Sequence, residues 1–580
     1  MLDGLQTITD MFRSNYPFSM LYFLPLILML TNDPRLMVNA AQEFQVYRMQ
    51  QYDMPFGNQL GSRSNQLSME ARTINSKPNF ISRRCVLVNL DDFTLERYQT
   101  LTSQYAGAIL VILPQNYTLE QKLTIKSLES QLLHEAVKIP VYFIKETPEI
   151  NDYYNYIDTD KSSQDSNAFQ ILIDSVISNG FQFVINSPNS KQLTQSDFQA
   201  VNLQGKLNGG DHGDQSKARK IPTIIITAHY DAFGLVTSMS NGCDSNGSGV
   251  VALLELSRIL SYLYSNSRTI APINILFLLT AEGKFNYYGL KKWLEEQSDS
   301  NELAGKIDLD DIQFAICLDS LGKATRLSDE IADGGLFMHV SRPPKEGQAT
   351  YEFLKSLENV ANKSNVRLDL NHKKINLASD LLAWEHERFS LSKIPALTLS
   401  HFQSYKDSDR NTMTDTLENV DKAILTRNIK LISQALIQYI YRNEDISQDL
   451  LNSDLFVSED FVASWLEKIC SQPRTASLLN KNHPLVNQFF SHFNHYLQET
   501  LKQPVKIQAK EPEFVLYNEE EATLVIYNVK PAAFDFFLAL LVAAYVGLIY
   551  LFVINFGQIF SFLNRKLAVN GRLGVKSKSN

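Results

Sequence analysis

The chain reads as an α/β protein built on a doubly wound, mostly parallel sheet, with a smaller α/β lobe, a membrane-proximal stalk and one C-terminal transmembrane helix. Three observations predict this. Strand-like apolar runs alternate with helical patterns through the middle of the 580-residue chain, shorter runs separated by turn signals precede them, and a charge-free apolar stretch lies near the C-terminus.

In chain order, "PFSMLYFLPLILML" (residues 17–30) has the length of a signal-peptide core, and "VNAAQEF" offers small residues for cleavage after Ala40 or Ala41. Residues 1–41 therefore read as a signal peptide, with an uncleaved signal anchor as the alternative. Residues 42–170 form the small lobe: a polar extended lead-in, then the runs "RRCVLVNL", "AGAILVILP" and "IPVYFIK". Residues 151–167 are polar enough to read as a surface loop. The main domain, 171–442, carries strands at "TIIITAHYD", "INILFLLTA", "FAICLDSLG", "LFMHVS" and "IPALTLSH", separated by helices such as "GVVALLELSRILSYLY". A polar linker opens the stalk (443–530), whose helical part spans 455–505 and whose alternating segment, 513–529, reads as a β-hairpin. Residues 536–556 hold 21 uncharged residues, enough to cross a hydrocarbon core as a helix. The tail, 557–580, contains Arg565, Lys566, Arg572, Lys576 and Lys578 and no acidic residue, which predicts that it is cytosolic and the body lumenal or extracellular.

Composition excludes some classes. A formal charge of -9 without a basic stripe in the body argues against nucleic-acid contact. Cys85, Cys243, Cys317 and Cys470 are widely spaced, form no CxxC, and predict neither a zinc knuckle nor a disulfide framework. The sequons at Asn116 and Asn362 are candidate glycosylation sites in a lumenal body; the one at Asn246 lies within the site loop and is expected to be inaccessible.

The chemistry-bearing residues lie at strand ends. His229 and Asp231 sit two apart in "TAHYDAFG", an arrangement in which an imidazole ligates a metal while a carboxylate supports it. Asp244 follows in "NGCDSNGSGVV", a loop of small residues that lets backbone approach an ion closely. Asp319 ends "FAICLDSLG". Together these residues resemble the co-catalytic zinc aminopeptidase family, which includes glutamate carboxypeptidases, transferrin receptor ectodomains and nicastrin. The resemblance covers roughly residues 223–440 and implies that His229, Asp244 and Asp319 stand at ligand positions, with Asp231 supporting the histidine.

Other positions depart from the family pattern. With Gly289 and Trp293 as anchors, Gly283 stands where the family has its general base and Lys284 where it has a ligand; Glu282 lies one residue early and would face the other side of a strand. Asn411 replaces the last histidine ahead of Asp415 and Thr416, and His386 and His401 are the nearby alternatives. Two-metal hydrolysis needs both ions and a base. The resemblance thus implies vestigial metal-site positions, with no catalytic residue, metal or cofactor. Lys284 is expected to place its ammonium near Asp244 and Asp319, where an ion would otherwise neutralise them. The alternative is a membrane-anchored aminopeptidase that uses one zinc held by His229, Asp244 and Asp319.

A closer likeness, to nicastrin-like proteins of the endoplasmic reticulum, is carried by "FQVYRMQQYDMPFG", "DSNGSGV", "GKFNYYGLKKWLE" and "INLASDLLAWEHERF" and runs over nearly the entire chain. It implies a non-catalytic type I membrane subunit that associates with nodal modulator and a small polytopic membrane protein. That assembly joins the ribosome-bound translocon during insertion of multi-pass proteins and is linked to Nodal signalling. Membrane lipid is the remaining expected partner.

Overall fold

The computed structural model describes residues 42–54, 58–64, 67–76, 81–159, 180–186, 192–193, 198–210, 220–266, 268–299, 306–323, 335–379, 381–442, 457–506, 512–518, 522–529, 532–562 and 565. The signal segment, the expected linker and most of the basic tail lie outside these residues.

The small lobe is a closed barrel. Its strands are β1 (Gln42–Arg48), β4 (Leu67–Thr73), β5 (Cys85–Asn89), β6 (Ala108–Leu113), β8 (Val141–Lys145), β9 (Gly180–Asn186) and β19 (Ala522–Val529), in the order β1-β19-β9-β4-β5-β6-β8, with β1 pairing with both β19 and β8. β6, "AILVIL", is buried along its whole length, as a strand between parallel neighbours must be. Three helices serve this lobe: α1 (Leu95–Ser103), α2 (Leu119–Leu132), which starts at a capping box of Thr118 and Gln121, and α3 (Pro148–Thr159). The expected surface loop is in large part α3. Ile150, Tyr154 and Ile157 recur at helical spacing and bury in the barrel core, so its apolar face decides its structure despite polar neighbours. A second small sheet joins β18 (Val515–Leu516), β2 (Gln51–Asp53), β3 (Gln59–Ser62) and β7 (Ala136–Val137).

The main domain holds an eight-stranded sheet. Its order is β15 (Leu368–His372), β14 (Leu336–Val340), β16 (Ala396–Ser400), β13 (Ile312–Leu318), β11 (Thr223–His229), β12 (Asn274–Thr280), β10 (Val201–Leu207) and β17 (Glu499–Pro504). The centre, β16-β13-β11-β12, is parallel; β10 and β17 form an antiparallel flank. Odd and even positions of β11 face different helix layers. Ile224 and Ile226 pack in one core with α4 (Gly249–Ser265), α6 (Ala349–Lys363), α8 (Lys422–Tyr441), α9 (Glu459–Cys470) and α10 (Pro484–Tyr496); Ile225 packs in another with α5 (Tyr288–Asp299) and α7 (His386–Leu391).

The stalk expectation is corrected. Residues 455–505 supply α9, α10 and the edge strand β17 to the main domain, because Val462, Leu466, Leu485 and Phe489 complete its core. The expected hairpin separates too: β18 joins the small sheet and β19 closes the barrel. Cys243 and Cys470 form a disulfide, contrary to the sequence reading, since the fold brings their Cα atoms to 5.2 Å across 227 residues. Beyond β19 comes the apolar α11 (Ala532–Ile554). Among the described residues no single helix is long and apolar enough to cross a membrane; the pair Leu538–Ile554 and Phe556–Phe562, bent by 66°, passes on length and composition.

Candidate functional site

Because β11, β12, β13 and β16 are parallel neighbours, their carboxyl ends bring His229, Gly283, Lys284, Asp319 and His401 to one rim of the sheet. The loop Gly242–Ser248, which opens α4, and the segment 408–415 close the rim from above. Asp231 accepts hydrogen bonds from the backbone N–H groups of Gly283 (2.7 Å) and Lys284 (2.9 Å), so it fixes the turn that leaves β12. Gly283 has a steric reason: a Cβ there would overlap Cβ and Cγ of His229. Glu282 takes a left-handed backbone (φ 53°) and lines a cavity with Phe198, Phe285 and Phe514. Burial, with Asp231 nearby, pushes its carboxyl up to about 8.

Each remaining carboxylate already has partners. Asp319 pairs with the Arg410 guanidinium and accepts from Ser320 Oγ (2.8 Å). Burial alone would raise its pKa, but Arg410, with His229 and Lys284 behind it, holds it well below the usual range. Asp244 Oδ2 lies 2.6 Å from His401 Nε2, and its Oδ1 accepts from Ser248 Oγ (2.9 Å) and the Gly322 N–H (2.8 Å). Here too burial opposes ionisation, and His401 overcomes it, bringing Asp244 to about 2. Asp415 Oδ2 accepts from the N–H groups of Asp244 (2.9 Å) and Ser245 (2.8 Å), while Lys323 stands 3.8 Å from its Oδ1.

Lys284 serves only in part as expected: its ammonium adds to the field that lowers Asp319, but its hydrogen bonds go elsewhere. Its Nζ donates to Ser245 Oγ and to the Arg410 carbonyl, both at 2.7 Å, and burial lowers its pKa to about 8. The side chains that pair with Asp319 and Asp244 are Arg410 and His401. Asn411 is also not where the family pattern would put a ligand: it is exposed at the end of the short turn Ser408–Asn411, and its buried neighbour Arg410 reaches inward instead, stacked 4.2 Å over Trp384. His386 is buried and bonds Thr398 Oγ1 (2.8 Å). Asn246 is fully buried, donating to the carbonyls of His229 (3.1 Å) and Leu318 (2.8 Å), whereas Asn116 and Asn362 are exposed.

Arg474 and Cys470, both outside the family pattern, hold the loop. Arg474, fully buried, donates to the carbonyls of Asn241 (3.0 Å), Tyr230 and Gly242, next to the Cys243–Cys470 disulfide. Nothing in their local sequence marks them; the signal for Arg410 was its place beside Asn411 in "DRNTMTDT".

The residues present do not fit a pair of zinc ions. Lone pairs of Asp231, Asp244 and Asp319 point at backbone N–H groups, an imidazole and a guanidinium, and among the described residues no three His, Cys, Asp or Glu side chains converge to hold an ion. His229 Nε2 lacks a hydrogen-bond partner, as do Glu385 Oε2, His386 Nε2 and Asp415 Oδ1 near it; His229 Nδ1 faces Asn246 Nδ2 (3.4 Å) and Glu385 Oε2 (3.8 Å).

Residues 202–436 match the model of Peptidase family M28. BOS complex subunit ncln of Danio rerio is 39% identical, covering 97% of this chain and 98% of the relative. BOS complex subunit NCLN of Homo sapiens is 37% identical (95% and 96%), and Nicalin of Caenorhabditis elegans 30% (94% and 95%). The crystal structure of the gamma-secretase component Nicastrin superposes with a TM-score of 0.56 at 14% identity, covering 83% of this chain and 99% of that one. The shared fold is aminopeptidase-like.

Proposed function

We propose that this chain, which belongs to the family of the BOS complex subunit NCLN and nicalin proteins, is a non-catalytic subunit of a membrane complex in which a peptidase fold serves as a docking body. The observation that carries this reading is the internal pairing of the rim: Arg410 meets Asp319 and His401 meets Asp244, where a hydrolase would need open lone pairs for metal. No base is poised either, since position 283 has no side chain and Glu282 turns into an apolar cavity.

The body resides in the lumen of the endoplasmic reticulum. The Cys243–Cys470 disulfide suits an oxidising compartment, and Asn116 and Asn362 are exposed for glycan addition. α11 anchors the chain as a single pass, with the basic tail on the cytosolic side. The partners in this reading are nodal modulator, a small polytopic membrane protein and the ribosome-bound translocon, with insertion of multi-pass proteins as the task of the assembly and Nodal signalling as a process linked to it.

The test is direct. Purified full chain should carry no stoichiometric zinc and should not hydrolyse aminoacyl reporter substrates, and a mild-detergent pull-down should recover the named partners. Stoichiometric zinc with turnover abolished by His229→Ala would instead establish the one-metal peptidase, the reading that the unpartnered His229 Nε2 favours.

A further inference from the structure

The barrel has a distinct end from which α11 leaves. β19 runs parallel to β4, and β9 and β1 are antiparallel to it, so Val529, Gly180 and Gln42 cluster at one mouth, with Val529 opposite Gly180 and Gln42 opposite Ile526. α3 plugs that mouth. Its inner residues Ile150, Tyr154 and Ile157 join the barrel core, and Thr73 Oγ1, at the end of β4, donates to Asp158 Oδ1 (3.0 Å).

The outer side of the plug is aromatic. Phe181 packs edge-on against Tyr153 (5.1 Å) and Tyr156 (5.3 Å), Phe44 meets Tyr153 (6.3 Å), and the Tyr153 hydroxyl donates to Gln42 Oε1 (2.9 Å). Tyr156 is 51% exposed and Tyr527, on the last turns of the barrel wall, 38%. Between Val529 and the first residue of α11, Ala532, lie residues 530 and 531 alone. Fully extended, that connection spans about 10 Å. One further helical turn, ending at Asp535, reaches Phe536 and adds about 6 Å. The headgroup layer itself is roughly 5–8 Å deep. The tether is thus too short to hold this mouth far from the bilayer that α11 enters.

We infer that the α3 end of the barrel rests on the membrane interface, with Tyr153, Tyr156, Phe181 and Tyr527 seated among zwitterionic headgroups. The inference depends on the reading of α11 as the anchor. Tyrosines are suited to this layer because one end of the ring is apolar and the other wet. The exposed carboxylates Glu149 and Asp152 on the same helix select the lipid: they oppose anionic headgroups, while aromatic faces accept the cationic end of phosphatidylcholine. The contact would fix the tilt of the body above the bilayer, which a single tethered helix cannot do.

The test uses full chain with one introduced cysteine, since Cys85 and Cys317 are buried and Cys243 and Cys470 are paired. A fluorophore is placed by Asn155→Cys, which leaves the aromatic residues and both carboxylates intact, by Tyr105→Cys at the opposite end of the barrel, or by Leu548→Cys in α11. In phosphatidylcholine liposomes, a headgroup nitroxide should quench the label at 155 at least about twofold more than the label at 105, and added phosphatidylserine or the Tyr156→Ser/Tyr527→Ser pair should remove most of that difference. An acyl-chain nitroxide should quench the label at 548. Quenching at 548 without quenching at 155 overturns the inference and leaves the anchor standing; no quenching at 548 removes the anchor reading and the inference with it. A label at 155 shielded from aqueous quencher yet untouched by lipid nitroxide means that protein covers the patch, which also overturns the inference.

Discussion

Arg410 pairs with Asp319, stacks on Trp384 and donates to the Ala383 carbonyl (3.1 Å), all within the buried rim. Removing one member of such a pair strands the other charge, at a cost of about 3–5 kcal/mol, whereas removing both is far milder. Arg410→Ala should therefore shift the urea midpoint strongly downward, and Arg410→Met with Asp319→Leu should recover most of the loss. Equal midpoints for wild type and Arg410→Ala would show that the pair does not hold the rim. Glu129, on α2, gives a second prediction. Its Oε1 accepts from the N–H groups of Leu235 (3.0 Å) and Met413 (2.8 Å), so one small-lobe carboxyl ties two loops of the main domain. Burial raises its pKa from 4.5 to about 7. The folded form thus holds the proton more tightly than the unfolded chain, and this contribution is fully present below pH 4.5 and lost as pH rises through 7. It amounts to about 3 kcal/mol at most. Stability measured from pH 4.5 to 7.5 should fall more steeply for wild type than for Glu129→Gln; parallel curves would refute the assignment. At this scale the sequence disclosed Asp231, Asp244 and Asp319, because they stand just after strands or in a loop of small residues. It did not disclose their partners, since Arg410 and His401 come from segments over 80 residues away from the aspartates they meet.

Elements show where pattern reading stops. The period of residues 522–529 marks a strand, and the strand is there, but period tells which face is buried and not which sheet receives it, so β18 and β19 were legible as strands and not as members of separate sheets. α3 was hidden for a different reason: three apolar residues on its inner face suffice when a barrel mouth supplies the rest of the core. The loop Gly242–Ser248 depends on α9 in the same non-local way, through Cys243–Cys470 and Arg474. Of four cysteines, two should react with a thiol reagent once the protein is unfolded without reductant, and four after reduction. Cys470→Ser should cost about 2–5 kcal/mol, read as a lowered midpoint. Four reactive thiols before reduction would remove the clamp.

At the scale of the whole molecule the chain weaves its lobes together. The barrel takes six strands from residues 42–186 and closes them with β19, from 522–529; the main sheet takes seven strands from 201–400 and adds β17, from 499–504. Neither lobe is a contiguous stretch of sequence, and the family-like region read at 223–440 is accordingly not a unit that can stand alone. A fragment of residues 42–442 would leave β1 and β9 as open edges and strip the core of Leu466, Leu485 and Phe489. It should aggregate and show no cooperative transition, while residues 42–529, which keep every strand of both lobes, should unfold in one step. Were 42–442 a monomer with a sharp transition, residues 457–529 would be an accessory after all, and the clamp on the rim loop would have to be sought within the peptidase-like region itself.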